Sequence, residues 1–209
     1  NTYGTTGEVA EALSAVDRLR SPSDVALVSI ATRPDCLGEG ILDVLEEYAG
    51  RRPLWIELGL ESADDAVLER AGRTQTAAEF TDAATRAEAR GLEVVAHAIA
   101  GLPEEKPGGA ARAAALMAAA GVSGAKLHQC MVLRGTRLAR LWRQGRMQTL
   151  DVDAYVEEAC GFLAALPEAT VIHRLVADAP PDELLAPVWG VSKNTILDLI
   201  AAAVAQPST

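Results

Sequence analysis

LWIELGLE, residues 54–61, is too short for a typical helix and rich enough in aliphatic residues to be a buried strand. Side chains alternate across a strand, so Glu57, Gly59 and Glu61 all point one way. Strands of a parallel sheet are normally apolar on both faces, and an ionised carboxylate in a dry core costs several kcal/mol unless paired. The economical explanation is a face that lines a polar, ligand-holding interior.

Three further stretches read as strands: VALVSIAT (25–32), LEVVAHAIAGL (92–102) and GAKLHQCMVL (124–133). The third of the four strands carries His97, Ile99 and Gly101 as one alternate set, and the fourth carries Lys126, His128 and Cys130. Helical periods lie between them. Leu37, Ile41, Leu45 and Tyr48 share a face, and both Ser62–Asp65 and Thr76–Glu79 fit a capping box. Gly91 and Gly121 stand where helices end. The alternation is that of βαβ units, which build parallel sheets with right-handed crossovers.

After residue 133 the pattern changes. Helices are expected near 136–145, 151–166 and 192–205, with one more strand, VIHRLVA (171–177). The proline-rich DAPPDELLAP (178–187) reads as a surface connection. The organisation expected is an α/β barrel-type domain over 1–135 and a mostly helical C-terminal extension over 136–209.

Composition fits an ordinary globular chain: 209 residues, 49% hydrophobic and 23% charged. The formal net charge of −10 argues against nonspecific nucleic-acid binding, although a local basic pocket stays compatible with it. Cys36, Cys130 and Cys160 lie far apart with no CxxC pair, as expected of small buried residues in a reducing cytoplasm. No apolar run reaches membrane-spanning length and no signal peptide is visible. The first residue is not Met, so the chain can begin partway through a longer protein.

A site is the better explanation of three adjacent strands with polar alternates. The competing one is a purely structural Glu–Lys or Glu–His network. Arg33, in TRPD (32–35), could bind an anion at the sheet's mouth, but a helix-entry turn explains that tetrapeptide better. GLPEE (101–105) pairs a glycine that allows close approach with a proline that stiffens the exit.

Taken together, SIATRPDCL (29–37), LWIELGLES (54–62), AHAIAGLPEE (96–105), KLHQCMVLRGTRLA (126–139) and VIHRLVADAP (171–180) resemble the YhcC-like branch of radical SAM proteins. That branch is related to elongator-type and coproporphyrinogen-dehydrogenase-type enzymes. The resemblance implies a partial (β/α) barrel of six βα units opening onto a [4Fe-4S] cluster and S-adenosyl-L-methionine, whose reductive cleavage starts radical chemistry. It also implies cofactor-binding roles for Glu61, Arg73, His97, Ile99, Gly101 and Leu102. Glu61 stands where relatives usually carry Gln, keeping an acceptor but losing the amide donors. Substrate-side candidates are Glu57, His128, His173, Arg174 and Asp178.

The family's CxxxCxxC motif and the glycine-rich stretch after its second strand are not found in these residues. No metal ligand is therefore assigned. NTYG at residue 1 resembles a segment that follows the family's second strand, so the expectation is an N-terminally truncated form holding about the last four βα units of six plus the extension. By itself such a chain is expected to be inactive. The alternative is a non-catalytic degenerate barrel binding a nucleotide-like ligand or a protein partner. An unrelated phosphate-binding barrel is weaker, because LRGT (133–136) has only one glycine. Open strand edges imply self-association or a missing N-terminal half. The substrate is not readable from these residues.

Overall fold

The computed structural model describes residues 2–19 and 25–205; Asn1, which opens the NTYG stretch, lies outside them. In chain order the elements are α1 (Thr6–Leu19), β1 (Val28–Thr32), a 3-10 turn (Pro34–Cys36), α2 (Glu39–Ala49), β2 (Leu54–Glu61), α3 (Asp65–Ala71), α4 (Ala77–Glu88) and β3 (Glu93–Ala100). They continue with α5 (Gly109–Ala119), β4 (Gly124–Gln129), β5 (Val132–Leu133), α6 (Arg137–Arg143), α7 (Val152–Ala165), β6 (Val171–Arg174), β7 (Leu184–Ala186) and α8 (Lys193–Val204).

Five strands form one parallel sheet in the order β1-β2-β3-β4-β6. One face is covered by helices. Leu54, Ile56, Leu58 and Leu60 of β2, with Val94, Ala96, Ala98 and Ala100 of β3, are buried there in the main apolar core. Helices α2, α4, α5 and α7 pack against these strands, and α1 and α8 pack behind α2 and α7. Small side chains on both partners (Ala96 and Ala98 of β3, Ala110, Ala113 and Ala114 of α5) bring α5 close to the sheet. No helix among the described residues is long and apolar enough to cross a membrane.

Several local expectations need correction. The stretch 124–133 is not one strand: β4 stops at Gln129, and Val132–Leu133 turn away to pair antiparallel with Leu184–Ala186. The segment 178–187 is therefore not a plain connection but contains β7. The strand read over 171–177 ends at Arg174. Thr76 and Glu79 do form a reciprocal capping box. Ser62 does not cap α3; Asp64 does, accepting from the Ala66 and Val67 amides, while the Ser62 hydroxyl donates to Glu105 Oε1 at 2.6 Å. Gly101 leaves the β3 alternation because the strand ends at Ala100: its φ is +80°, and a β-carbon there would stand 2.7 Å from Leu150 Cγ.

Candidate functional site

The sheet's other face is concave. Trp55 on β2 and His173 on β6 lie three strands apart, yet their rings meet edge-on at 4.7 Å between centroids. Strands spaced about 4.8 Å apart in a flat sheet would leave a far wider gap between them. Gly124 makes room for this contact, since a β-carbon there would lie 2.7 Å from His173 Nε2.

Above that closure, four strands contribute to one network. Ser29 Oγ on β1 donates to Glu57 Oε1 at 2.7 Å, and Lys126 Nζ on β4 approaches Glu57 Oε2 at 2.7 Å. His97 Nε2 on β3 stands 3.0 Å from the same Oε2. Parallel register explains the convergence, because Gly59, His97 and Lys126 are direct cross-strand partners. Burial opposes the Glu57 charge, but the Lys126 and Ser29 hydrogen bonds outweigh it and hold the carboxyl at about 2. Burial, reinforced by the Lys126 charge, depresses His97 to about 4.

The imidazole is therefore neutral at pH 7, donates through Nε2–H to Glu57, and keeps Nδ1 as an acceptor. Lys126 retains two N–H donors beyond its Glu57 bond. The network is a charge-compensated floor that still offers a ligand both donors and an acceptor.

Toward the C-terminal ends of the strands, Glu61 leaves the regular ladder at a bulge, with φ +69°. Its carboxylate lies over Gly59, where a β-carbon would come within 2.7 Å of Oε1, and its partner is the Arg73 guanidinium. Glu61 Oε2 is buried with no hydrogen-bond partner. Gln75 reaches the same place, donating from Nε2 to the Gly59 carbonyl at 3.1 Å.

The remaining sequence candidates divide. His128 is the cross-strand partner of Ile99 and is close enough to Arg174 to feel its charge, and burial lowers its pKa. Arg174 is exposed and stands opposite Lys126. His173 belongs to the Trp55 closure at the other end of the strands. Asp178 is exposed and tied to Lys193 Nζ at 2.8 Å. Ile99 and Leu102 join a second apolar cluster with Val67, Cys130 and Val132. Ser29, a site residue that sequence reading did not single out, lay in plain view at an alternate position of β1. Lys126, one of the fourth strand's polar alternates, forms with Glu57 the Glu–Lys contact that the sequence offers as a structural network, and His97 joins it.

A [4Fe-4S] cluster needs converging thiolates. Cys36 sits in the 3-10 turn, Cys130 just after β4 and Cys160 on α7. Burial raises all three thiols, Cys130 to about 12. Among the described residues no group of His, Cys, Asp or Glu is arranged to hold a metal ion. The residues present do not fit a cluster. For the nucleoside cofactor the fit is better, because Glu61 Oε2 is a buried acceptor awaiting a donor.

The profile of the Radical SAM superfamily matches residues 4–117, and that of the Radical_SAM C-terminal domain matches residues 122–206. This chain belongs to the radical SAM superfamily. Over 200 residues the radical SAM chain is 31% identical to YtqA of Bacillus subtilis, covering 96% of this chain and 61% of the relative. It is 32% identical over 186 residues to YhcC of Escherichia coli, covering 88% and 60%. Elp3 of the archaeon Methanocaldococcus infernus shares the fold, with a TM-score of 0.75 at 19% identity over 85% of this chain and 41% of that one. The chain spans about 60% of the length of these two curated relatives.

Proposed function

We propose that this radical SAM chain forms the nucleoside-facing wall of an S-adenosylmethionine site and the floor beneath its substrate, in a partial barrel. One observation carries the reading: Glu61, in a left-handed conformation that costs a non-glycine residue about 1 kcal/mol or more, holds a buried carboxylate oxygen with no donor. A ribose hydroxyl would satisfy it. Arg73 would hold the cofactor's carboxylate, and His97, Ile99, Gly101 and Leu102 would flank the nucleoside.

S-adenosylmethionine, when bound, would supply the reactive group in this reading, and no step is assigned to an iron–sulfur cluster, which the described residues do not fit. The chain's own residues bind, orient and exclude water. Glu57, Lys126, His128 and Arg174 would face the substrate, with neutral His97 accepting through Nδ1. His173 and Asp178, committed to Trp55 and Lys193, drop out of that role. Three unpaired thiols suit a reducing, cytoplasmic setting.

The separation of Cys36, Cys130 and Cys160 favours a second reading, in which the barrel binds a nucleotide-like ligand without radical chemistry. Calorimetry with S-adenosylmethionine, adenosine and AMP tests both. Saturable S-adenosylmethionine binding in about the millimolar range, abolished by Glu61→Ala, is expected from half of a site. Binding unchanged by that substitution overturns the first reading, and preference for AMP selects the second.

A further inference from the structure

Residues 106–150 contain eight basic side chains and not one acidic, while the rest of the chain contains eleven basic and all 29 acidic residues. The net charge of −10 conceals this block. Much of it is concentrated on α6 and its flanks, where Arg134, Arg137, Arg140, Arg143 and Arg146 are all exposed. Ala139 is buried in the second apolar cluster, and Leu138 and Leu141 pack against it. That contact seats the helix and leaves Arg137, Arg140 and Gln144 to solvent on its other side.

Arg137, Arg140, Leu141, Gln144 and Arg146 line one depression of about 300 Å³, so three guanidinium groups share a hollow whose lining holds no carboxylate. Among the described residues, Arg137, Arg140 and Arg146 make no hydrogen bond or ion pair through their side chains, although arginines elsewhere are paired, Arg86 and Arg90 with several carboxylates. The placement also runs against helix preferences. Arg137 stands in the first turn of α6, which has no acidic residue, where a helix favours negative charge. Arg137, Arg140 and Arg143 follow one another at three-residue spacing, where like charges repel. A sequence that breaks local preference twice with no internal gain marks a functional face rather than a structural one.

We propose that this hollow binds the oligophosphate group of a small molecule, with phosphate oxygens held by Arg137, Arg140 and Arg146 and the Gln144 amide as a further donor. All of the cations are arginines, whose planar fork matches phosphate oxygens two at a time. The hollow suits a compact ligand, because about 300 Å³ is the lower end of the range for small-molecule sites. Adjacent phosphates concentrate several charges within such a space, whereas the carboxylates of a partner protein arrive one to a side chain. The rest of the chain, with eleven basic against 29 acidic residues, would repel a long polyanion that ran past the hollow. The inference stands apart from the cofactor reading, because it uses none of Glu61, Arg73 and His97.

Calorimetric titration of the full 209-residue chain with inorganic pyrophosphate, in the absence of divalent cations, tests it. One saturable site is expected, and Arg137→Gln combined with Arg140→Gln should weaken it by about tenfold or more. Citrate, which carries similar charge on carboxylates, is expected to bind about tenfold more weakly or worse. A parallel titration with ADP separates a nucleotide ester from the inorganic anion: the tighter of the two names the source, and its loss in the double variant assigns it to this hollow. Arg18→Gln, an exposed position on α1, should leave affinity as it was, and circular dichroism confirms that each variant is folded. No saturation by about 5 mM pyrophosphate overturns the proposal, as does unchanged affinity in the double variant. Citrate bound as tightly as pyrophosphate also overturns it, and would mark the face as a docking surface for the carboxylates of an acidic protein.

Discussion

Glu57 of β2 and Lys126 of β4 meet at 2.7 Å across an intervening strand, with His97 of that strand on the same carboxylate oxygen. Strands two apart lie about 9.6 Å from each other, a gap that the long Glu57 and Lys126 side chains close by leaning over the strand between them. The pair therefore reports the charges gathered on this face, and the Trp55–His173 contact reports its curvature.

Removing Lys126 leaves Glu57 with a charge in a half-buried place. Lys126→Met is expected to destabilise the fold by about 2–4 kcal/mol, below the full cost for a completely buried pair because both side chains keep some solvent contact. Glu57→Gln added to it should restore much of the loss. Urea unfolding of the two single variants and the double variant measures the coupling; additive losses would show that the pair is not coupled.

Acid sensitivity should come from the same network. Unfolded His97 takes a proton near 6.5, whereas the folded residue resists protonation down to about 4. The unfolded state then binds more protons, so stability is present above pH 6.5 and lost as pH falls toward 4. Glu57, held at about 2 against 4.5, extends the loss from pH 4.5 downward. Stability at pH 5 is expected to be on the order of 2 kcal/mol below that at pH 7.5, and His97→Gln should flatten this window. Urea midpoints at the two pH values give the answer.

Gly59→Ala places a β-carbon 2.7 Å from Glu61 Oε1 and 3.4 Å from Arg73 Nη2. The carboxylate has to swing away, so a cost of about 1–3 kcal/mol is expected, together with loss of any S-adenosylmethionine heat in calorimetry. Retained heat at wild-type affinity would show that Glu61 does not contact the cofactor.

Gly124→Ala drives a β-carbon into His173 Nε2 and to within 3.1 Å of Val95 Cγ2. Since His173 is the ring against Trp55, near-ultraviolet circular dichroism should lose intensity in the tryptophan region while far-ultraviolet signal is kept. A cost of about 1–3 kcal/mol in thermal unfolding is expected alongside.

How much of this was legible beforehand depended on periodicity. The span 54–61 forms a strand with the boundaries its aliphatic run implied, and Glu57, His97 and Lys126 converge because a two-residue repeat fixes which way each points. Positions beyond regular backbone escaped. Glu61 reaches the same hollow only by way of a bulge, Gly101 departs from it once β3 ends, and Ser62 turns toward Glu105 instead of capping a helix. The β5–β7 ribbon was invisible because two or three residues carry no pattern.

The sheet takes its outermost strand, Val171–Arg174, from far beyond β4, the strand it pairs with. During synthesis the outward rim of Gly124–Gln129 thus stays unshielded until the later segment has left the ribosome. Through that interval the half-made sheet offers bare amides and carbonyls to any extended neighbour, and chaperone occupancy is the natural cover for them.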